Sequence, residues 1–234
     1  MNQSEKRLFL IQSLLKENQE YRDMNIPAEP ERQRQLLRGL MNIRAPKRIG
    51  ADFLKMQDEY LQSETVAKGI TDIADLTPIQ RGLYLWQGDI TTLKCDAIVN
   101  AANSGMSGCY IPNHRCIDNA IHTFAGVELR LACEEMMEQQ GYPEPTGQAK
   151  ITPAFNLPCR YVLHTVGPII NGRVTKEDEE LLASCYRSCL EQAAQIAVET
   201  VKQFINRKTS VKKVIFNVFK DLDKAIYEKL LGTA

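Results

Sequence analysis

The apolar residues of this chain change their period near residue 80, and that change limits the fold more than any single motif. Before it, Leu8, Ile11, Leu14 and Leu15, then Leu36, Leu37, Leu40 and Met41, then Phe53, Leu54, Tyr60 and Leu61 recur at helical spacing. Pro27, Pro30 and Pro46 separate these stripes, and Gly69 stands where the third would end. After it, "GLYLWQGDIT" and "CDAIVNAAN" read as strands, and a helical stretch over 118–140 is stopped by Gly141 and Pro143. "GQAKITPAF" and "RYVLHTVGP" read as two more strands, followed by a helical pattern over 177–206, the strand "KKVIFNVF" and a helix over 221–231. Strands alternating with helices predict an α/β layer with a parallel or mixed sheet. The chain therefore divides into a helical extension, 1–79, and an α/β domain, 80–234.

Charge narrows the function. Lys and Arg number 29, as do Asp and Glu, so the formal net charge is zero, and neither nucleic acid nor an anionic membrane has an electrostatic footprint to bind. Binding must come from a shaped site. No apolar run is long enough to span a bilayer, and charges interrupt the first 22 residues, so a cytoplasmic monomer is expected. Seven cysteines, an odd and scattered set, fit reduced thiols better than a disulfide framework.

In open α/β sheets ligands bind beyond the carboxyl ends of strands, which directs attention to "QGDIT", "NAANSGMSGC" and "VGPIING". Cys109, His114 and Cys116 form a C-x4-H-x-C cluster, a donor set suited to zinc. The spacing is not a common finger spacing, so a loop of small thiols and a solvated histidine is an equal reading. A fourth ligand would be water, substrate, His122 or Cys133. Asp118 and His122 lie four apart on the next helix and share a face; Asp118 is either that helix's N-cap or a carboxylate aimed at a ligand. Asn100 and Asn103 flank two alanines, fitting either turn chemistry or hydroxyl recognition. Asp89 follows Gly88 at another strand end and is either a turn residue or a ligand contact.

Taken together and in this order, "QGDIT", "DAIVNAANSGMSG", "IDNAIH", "TGQAKIT" and "YVLHTVGP" resemble the macrodomain family of ADP-ribose-binding modules. The insertion "CYIPNHRC" resembles that of zinc-containing bacterial macrodomains related to the MacroD-like hydrolases, which remove ADP-ribose from proteins. The resemblance covers about residues 80 to 231 and implies a three-layer α/β/α fold with a mixed sheet. It implies that Asp89 accepts from the adenine amino group, that Ile90 lines the adenine pocket, and that Asn100 and Asn103 face the distal ribose. Asp118 would position the distal ribose, the diphosphate or a water, and with Asn103 would carry catalysis. Cys109, His114 and Cys116 would hold Zn2+ near the distal ribose. The substrate would be an ADP-ribosylated protein, with a lipoyl-carrier protein modified by a sirtuin-like transferase as an expected partner.

One departure from the family stands out. After "EELLASCYRSCLEQAA" macrodomains have a further strand and a small-residue loop that cradles the diphosphate, whereas this sequence passes from Gln195 directly to Ile196 and the next helical pattern. A strand and a phosphate loop are expected to be missing there. The leading function is a zinc-dependent hydrolase removing ADP-ribose from mono-ADP-ribosylated proteins. The alternatives are a non-catalytic ADP-ribose-binding module with structural zinc, and a scaffold whose N-terminal helices bind a partner.

Overall fold

The structure, a computed structural model, describes residues 1–80, 82–170, 172–203 and 213–231. The three N-terminal stripes form α1 (Gln3–Glu17), α2 (Pro30–Ile43) and α3 (Ala51–Lys68). Local chemistry sets their ends. Asn2 and Glu5 close a capping box on α1, Pro30 opens α2 where its missing N–H costs nothing, and Gly69 ends α3 with φ 90°. Their apolar faces meet in one core of Leu10, Ile11, Leu14, Leu37, Leu40, Phe53, Tyr60 and Leu61, which Val127 joins from later in the chain. Burying each such side chain stabilises by roughly 1.5–3 kcal/mol, which is why helices this short, marginal in isolation, are stable when packed together.

The second part begins with β1 (Thr71–Asp72), β2 (Leu83–Gln87), β3 (Leu93–Lys94) and β4 (Ala97–Ala101). Then come α4 (Ile117–Ala125), α5 (Val127–Gln140), β5 (Ala149–Pro153), β6 (Tyr161–Thr165), α6 (Lys176–Gln203), β7 (Val214–Val218) and α7 (Asp221–Leu231). The sheet is mixed: β4 runs parallel to β6, and β5 antiparallel to it. Ile98, Val162, Ile121, Leu129 and Cys133 join this sheet to α4 and α5, while Leu163, Ala149 and Cys189 join it to α6. Helices thus cover both faces, giving the expected α/β/α layering.

Two features differ from the sequence reading. The helix expected over 118–140 is two helices, broken at Gly126 with φ 98°. The break lets α3 in: a Cβ at Gly126 would stand 2.6 Å from Gln57 Nε2, and Gln57 Oε1 instead accepts from Val127 N at 2.9 Å, satisfying an orphan donor of α5. The second feature is the sheet. Among the described residues, β2 pairs only with β7, in parallel, and this ladder shares no hydrogen-bonded neighbour with the β4, β6, β5 sheet. Helix α6 runs without a break through Gln195 and Ile196. No helix among the described residues is long and apolar enough to cross a membrane.

A polar seam joins the N-terminal helices to the α/β part. Asn42 Nδ2 donates to Thr123 Oγ1 (2.9 Å), Gln62 Nε2 to Asn156 Oδ1 (3.0 Å), and Asn156 Nδ2 to Asp58 Oδ1 (2.7 Å). Arg130 of α5 donates to the carbonyls of Asn42 and Arg44 at the end of α2 (2.5 and 2.8 Å). Paired in this way, the polar groups avoid the penalty of burial without partners.

Candidate active site

The strand β4 ends in Asn100 and Ala101, and the chain then turns through a glycine-rich loop into α4. Asn103 shapes the first part of that loop: its Oδ1 accepts from Gly105 N at 3.0 Å and its Nδ2 donates to the Gly108 carbonyl at 3.1 Å. The turn reading of Asn103 therefore holds, and the residue remains exposed at the strand end. Gly108, with φ 81°, has no room for a side chain, because a Cβ would stand 2.8 Å from the His122 ring.

Cys109, His114 and Cys116 follow, and their donor atoms all lie within 4.8 Å of one another. Cys109 Sγ is 3.6 Å from His114 Nδ1. Two thiols and an imidazole converging at that spacing fit a borderline-soft divalent ion such as zinc, with small closing movements. Burial pushes the Cys116 thiol above its ordinary value, with Asn119 N–H and the neighbouring Cys109 as lesser influences; a metal would bind there by displacing a proton. His122 and Cys133, considered above as a fourth donor, do not join this set but gather with His164 in the core.

Cys116 also serves as the N-cap of α4, its Sγ accepting from Asn119 N at 3.4 Å. Asp118 is therefore not the cap. It lies inside the first turn and is buried, 6% exposed. Burial raises its carboxyl above the usual range, against a hydrogen bond from Asn100 and the charge of Arg130. Asn100 is fully buried, and its Nδ2 donates both to Asp118 Oδ1 at 2.8 Å and to His164 Nδ1 at 3.1 Å. That fixes the tautomer of His164: Nδ1 accepts, so Nε2 carries the proton and donates to Thr152 Oγ1 at 2.9 Å. His164 is held neutral by burial, its pKa lowered to about 4. His164 accordingly reads as hydrogen-bonded core, its Nε2 having no free lone pair to give a metal, whereas both ring nitrogens of the neighbouring His122 are buried without a hydrogen-bond partner. Sequence reasoning missed His164, although its place in "YVLHTVGP", opposite Asn100 in the parallel register, carried the signal.

Asp89 lies at the end of β2, on the turn Ile90–Thr92 that it caps. Its Oδ1 accepts from Thr91 N and Thr91 Oγ1 (3.0 and 2.6 Å), and its Oδ2 accepts from Lys68 Nζ at 3.1 Å. Burial opposes ionisation, but the Thr91 bonds and Lys68 together hold the carboxyl below its usual value. Lys68, at the end of α3, also sits 3.2 Å above the Phe124 ring. Ile90 packs against the core of the α/β part.

A mixed sheet between helical layers, asparagine at a strand end and a buried carboxylate at the next helix start define a macrodomain, and the chain belongs to that family. The Macro domain family matches residues 99–203. A protein from Treponema medium named "Protein-ADP-ribose hydrolase" is 51% identical over 261 residues, covering 99% of this chain and 100% of that protein. One of the same name from Staphylococcus aureus (strain MSSA476) is 42% identical over 248 residues, covering 94% of this chain and 93% of that protein. Among solved structures, the Oceanobacillus iheyensis macrodomain with ADP is 36% identical with a TM-score of 0.53, covering 67% of this chain and 94% of that one.

Proposed function

We propose that this chain is a protein-ADP-ribose hydrolase that works with a zinc ion held by Cys109, His114 and Cys116. The observation that carries the reading is the double role of Cys116, which is a donor of the three-atom cluster and the cap of the helix bearing Asp118. One turn of backbone thus sets a metal donor two residues from a buried carboxylate. When bound, zinc would supply Lewis-acid polarisation of an oxygen at the distal ribose. The remaining work falls to the chain's own side chains.

Asp89, kept ionised by Thr91 and Lys68, accepts from the adenine amino group, and Ile90 supports the adenine ring. Asn103 contributes an amide at the ribose end. Asp118 positions the water or the ribose, with one oxygen oriented by Asn100 and the other left for substrate. Its pKa, raised by burial, suits a group that takes up a proton more readily than an exposed carboxylate does. Hydrolysis adds water across the bond between the distal ribose and the acceptor side chain, releasing ADP-ribose and the free protein. The names of the Treponema medium and Staphylococcus aureus relatives support this activity.

A second reading, an ADP-ribose-binding module with structural zinc, draws on α6. Its unbroken course through Gln195 and Ile196, together with the separate β2 and β7 ladder, fits the absence of a strand and of the loop that cradles the diphosphate. The alignment with the Treponema medium relative runs over 261 residues against 234 in this chain, so that relative carries residues lacking here. Incubating the chain with a mono-ADP-ribosylated protein separates the two. Release of ADP-ribose, lost in Cys116→Ser, supports the hydrolase; binding of ADP-ribose with no release supports the module and refutes the enzyme.

A further inference from the structure

The metal loop is poorly supported by its own residues. Tyr110 to Arg115 are all exposed, so no apolar core fixes them, and Asn113 adopts φ 57°, a conformation that costs a non-glycine residue energy. Ordering such a segment opposes roughly 1–2 kcal/mol of backbone entropy per residue. The groups that hold it come from elsewhere in the fold.

We propose that α2 is a working part of the metal centre, with Arg38 as the positioning residue that shapes the 109–116 loop for its ion. This inference rests on the zinc reading given above. Arg38 Nη2 donates to the His114 carbonyl at 2.9 Å, fixing the backbone of one metal donor directly. Its Nε and Nη2 also donate to Asn119 Oδ1 at 3.2 and 2.8 Å. That orients the Asn119 amide so that Nδ2 donates to the Ile111 and Cys109 carbonyls at 3.1 and 3.5 Å. A single guanidinium therefore reaches the backbone of His114 in one step and of Cys109 in two, while the Asn119 N–H binds Cys116 Sγ. Two of the three donors are thus tied to one fork through their backbone, and the third meets the same residue, Asn119, through its backbone N–H.

The rest of α2 is fitted to the same loop. Asn42, one helical turn beyond Arg38, accepts from Asn113 N at 3.0 Å. Gly39 lets the helix approach closely, since a Cβ there would stand 3.3 Å from Asn113 Nδ2 and 3.7 Å from Pro112 Cβ. The match to the Macro domain family begins at residue 99, whereas the full-length match to the Treponema medium relative includes these helices. The extension thus adds a second brace to the inserted loop, beside Arg130 of α5, whose Nη2 donates to the Cys109 carbonyl at 3.3 Å and whose guanidinium lies over the Tyr110 ring. A lysine at position 38 would keep the charge but lose the planar fork that serves two acceptors at once.

The test uses the full chain loaded with zinc and follows metal loss to a competing chelator. Groups that orient metal ligands typically contribute about 10–100-fold to metal affinity, so Arg38→Ala should release zinc faster by about that factor, with Arg38→Lys in between. Arg32→Ala, on the exposed side of the same helix, should release it at the wild-type rate. In metal-free protein, hydrogen exchange of amides 110–116 should accelerate in Arg38→Ala while the amides of α1 remain protected. Equal zinc retention and equal exchange in wild type, Arg38→Ala and Arg38→Lys overturn the inference while leaving the zinc reading in place. A wild-type chain that takes up no zinc overturns both.

Discussion

Replacing Asn100 with alanine removes the donor that orients Asp118, and the consequence depends on pH in a definite direction. Two buried hydrogen bonds are lost, the 2.8 Å bond to Asp118 Oδ1 and the 3.1 Å bond to His164 Nδ1. A bond to an ionised group contributes about 1.5–3 kcal/mol and a neutral one about 0.5–1.5 kcal/mol, so the variant should lose about 2–4.5 kcal/mol when Asp118 is charged. A domain of ordinary stability, about 5–15 kcal/mol, would still fold. Asp118 is already pushed up by burial, and losing the Asn100 bond pushes it further. The folded variant therefore holds its proton to a higher pH than the folded wild type. The stability difference should grow as pH rises from the folded wild-type pKa to that of the variant, and shrink to the neutral-bond remainder at lower pH. Urea unfolding of the metal-free chain, followed by circular dichroism across a pH series, measures this. A loss of the same size at every pH would refute the claim that Asn100 acts on the Asp118 carboxylate.

Other outcomes follow from the same geometry. Lys68→Met removes a half-exposed ion pair worth about 0.2–1 kcal/mol, so ADP-ribose binding measured by calorimetry should weaken by no more than about fivefold. Gly108→Ala, which sets a Cβ against the His122 ring at φ 81°, should lower the midpoint of thermal unfolding and disturb the loop leading to Cys109. His164 has a folded pKa of about 4 against about 6.5 when unfolded, so the unfolded chain binds its proton first. Stability should fall as pH drops from about 6.5 toward 4, by about 3 kcal/mol for this group, and a denaturation series on His164→Gln should lack that slope.

The period change near residue 80 foretold the order, three helices and then mixed structure, because the N-terminal stripes pack on one another; the short strand β1 at Thr71–Asp72, paired with β3, lies before that change and was not legible. The strands β2, β4, β5, β6 and β7 were legible from the changed period. Gly126 was not, because the apolar pattern continues across it and only the approach of Gln57 from α3 explains the break. The convergence of Cys109, His114 and Cys116 could be read from spacing, since all three lie within eight residues. The long-range networks could not: Arg38 and Asn119, beside that cluster, are 81 residues apart, and Asn100 and His164, beside Asp118, are 64 apart. Asn100 reads as a ribose contact in the sequence; that the fold also buries it as the link between His164 and Asp118 could not be read there.

The most direct measurement couples metal content to turnover in one sample. The chain is stripped with a chelator, its zinc content verified, and release of ADP-ribose from a mono-ADP-ribosylated protein followed before and after zinc is restored. A zinc-dependent hydrolase should carry one zinc per chain when loaded, release no ADP-ribose when stripped and recover release on reloading. Full release by the verified metal-free chain would contradict it.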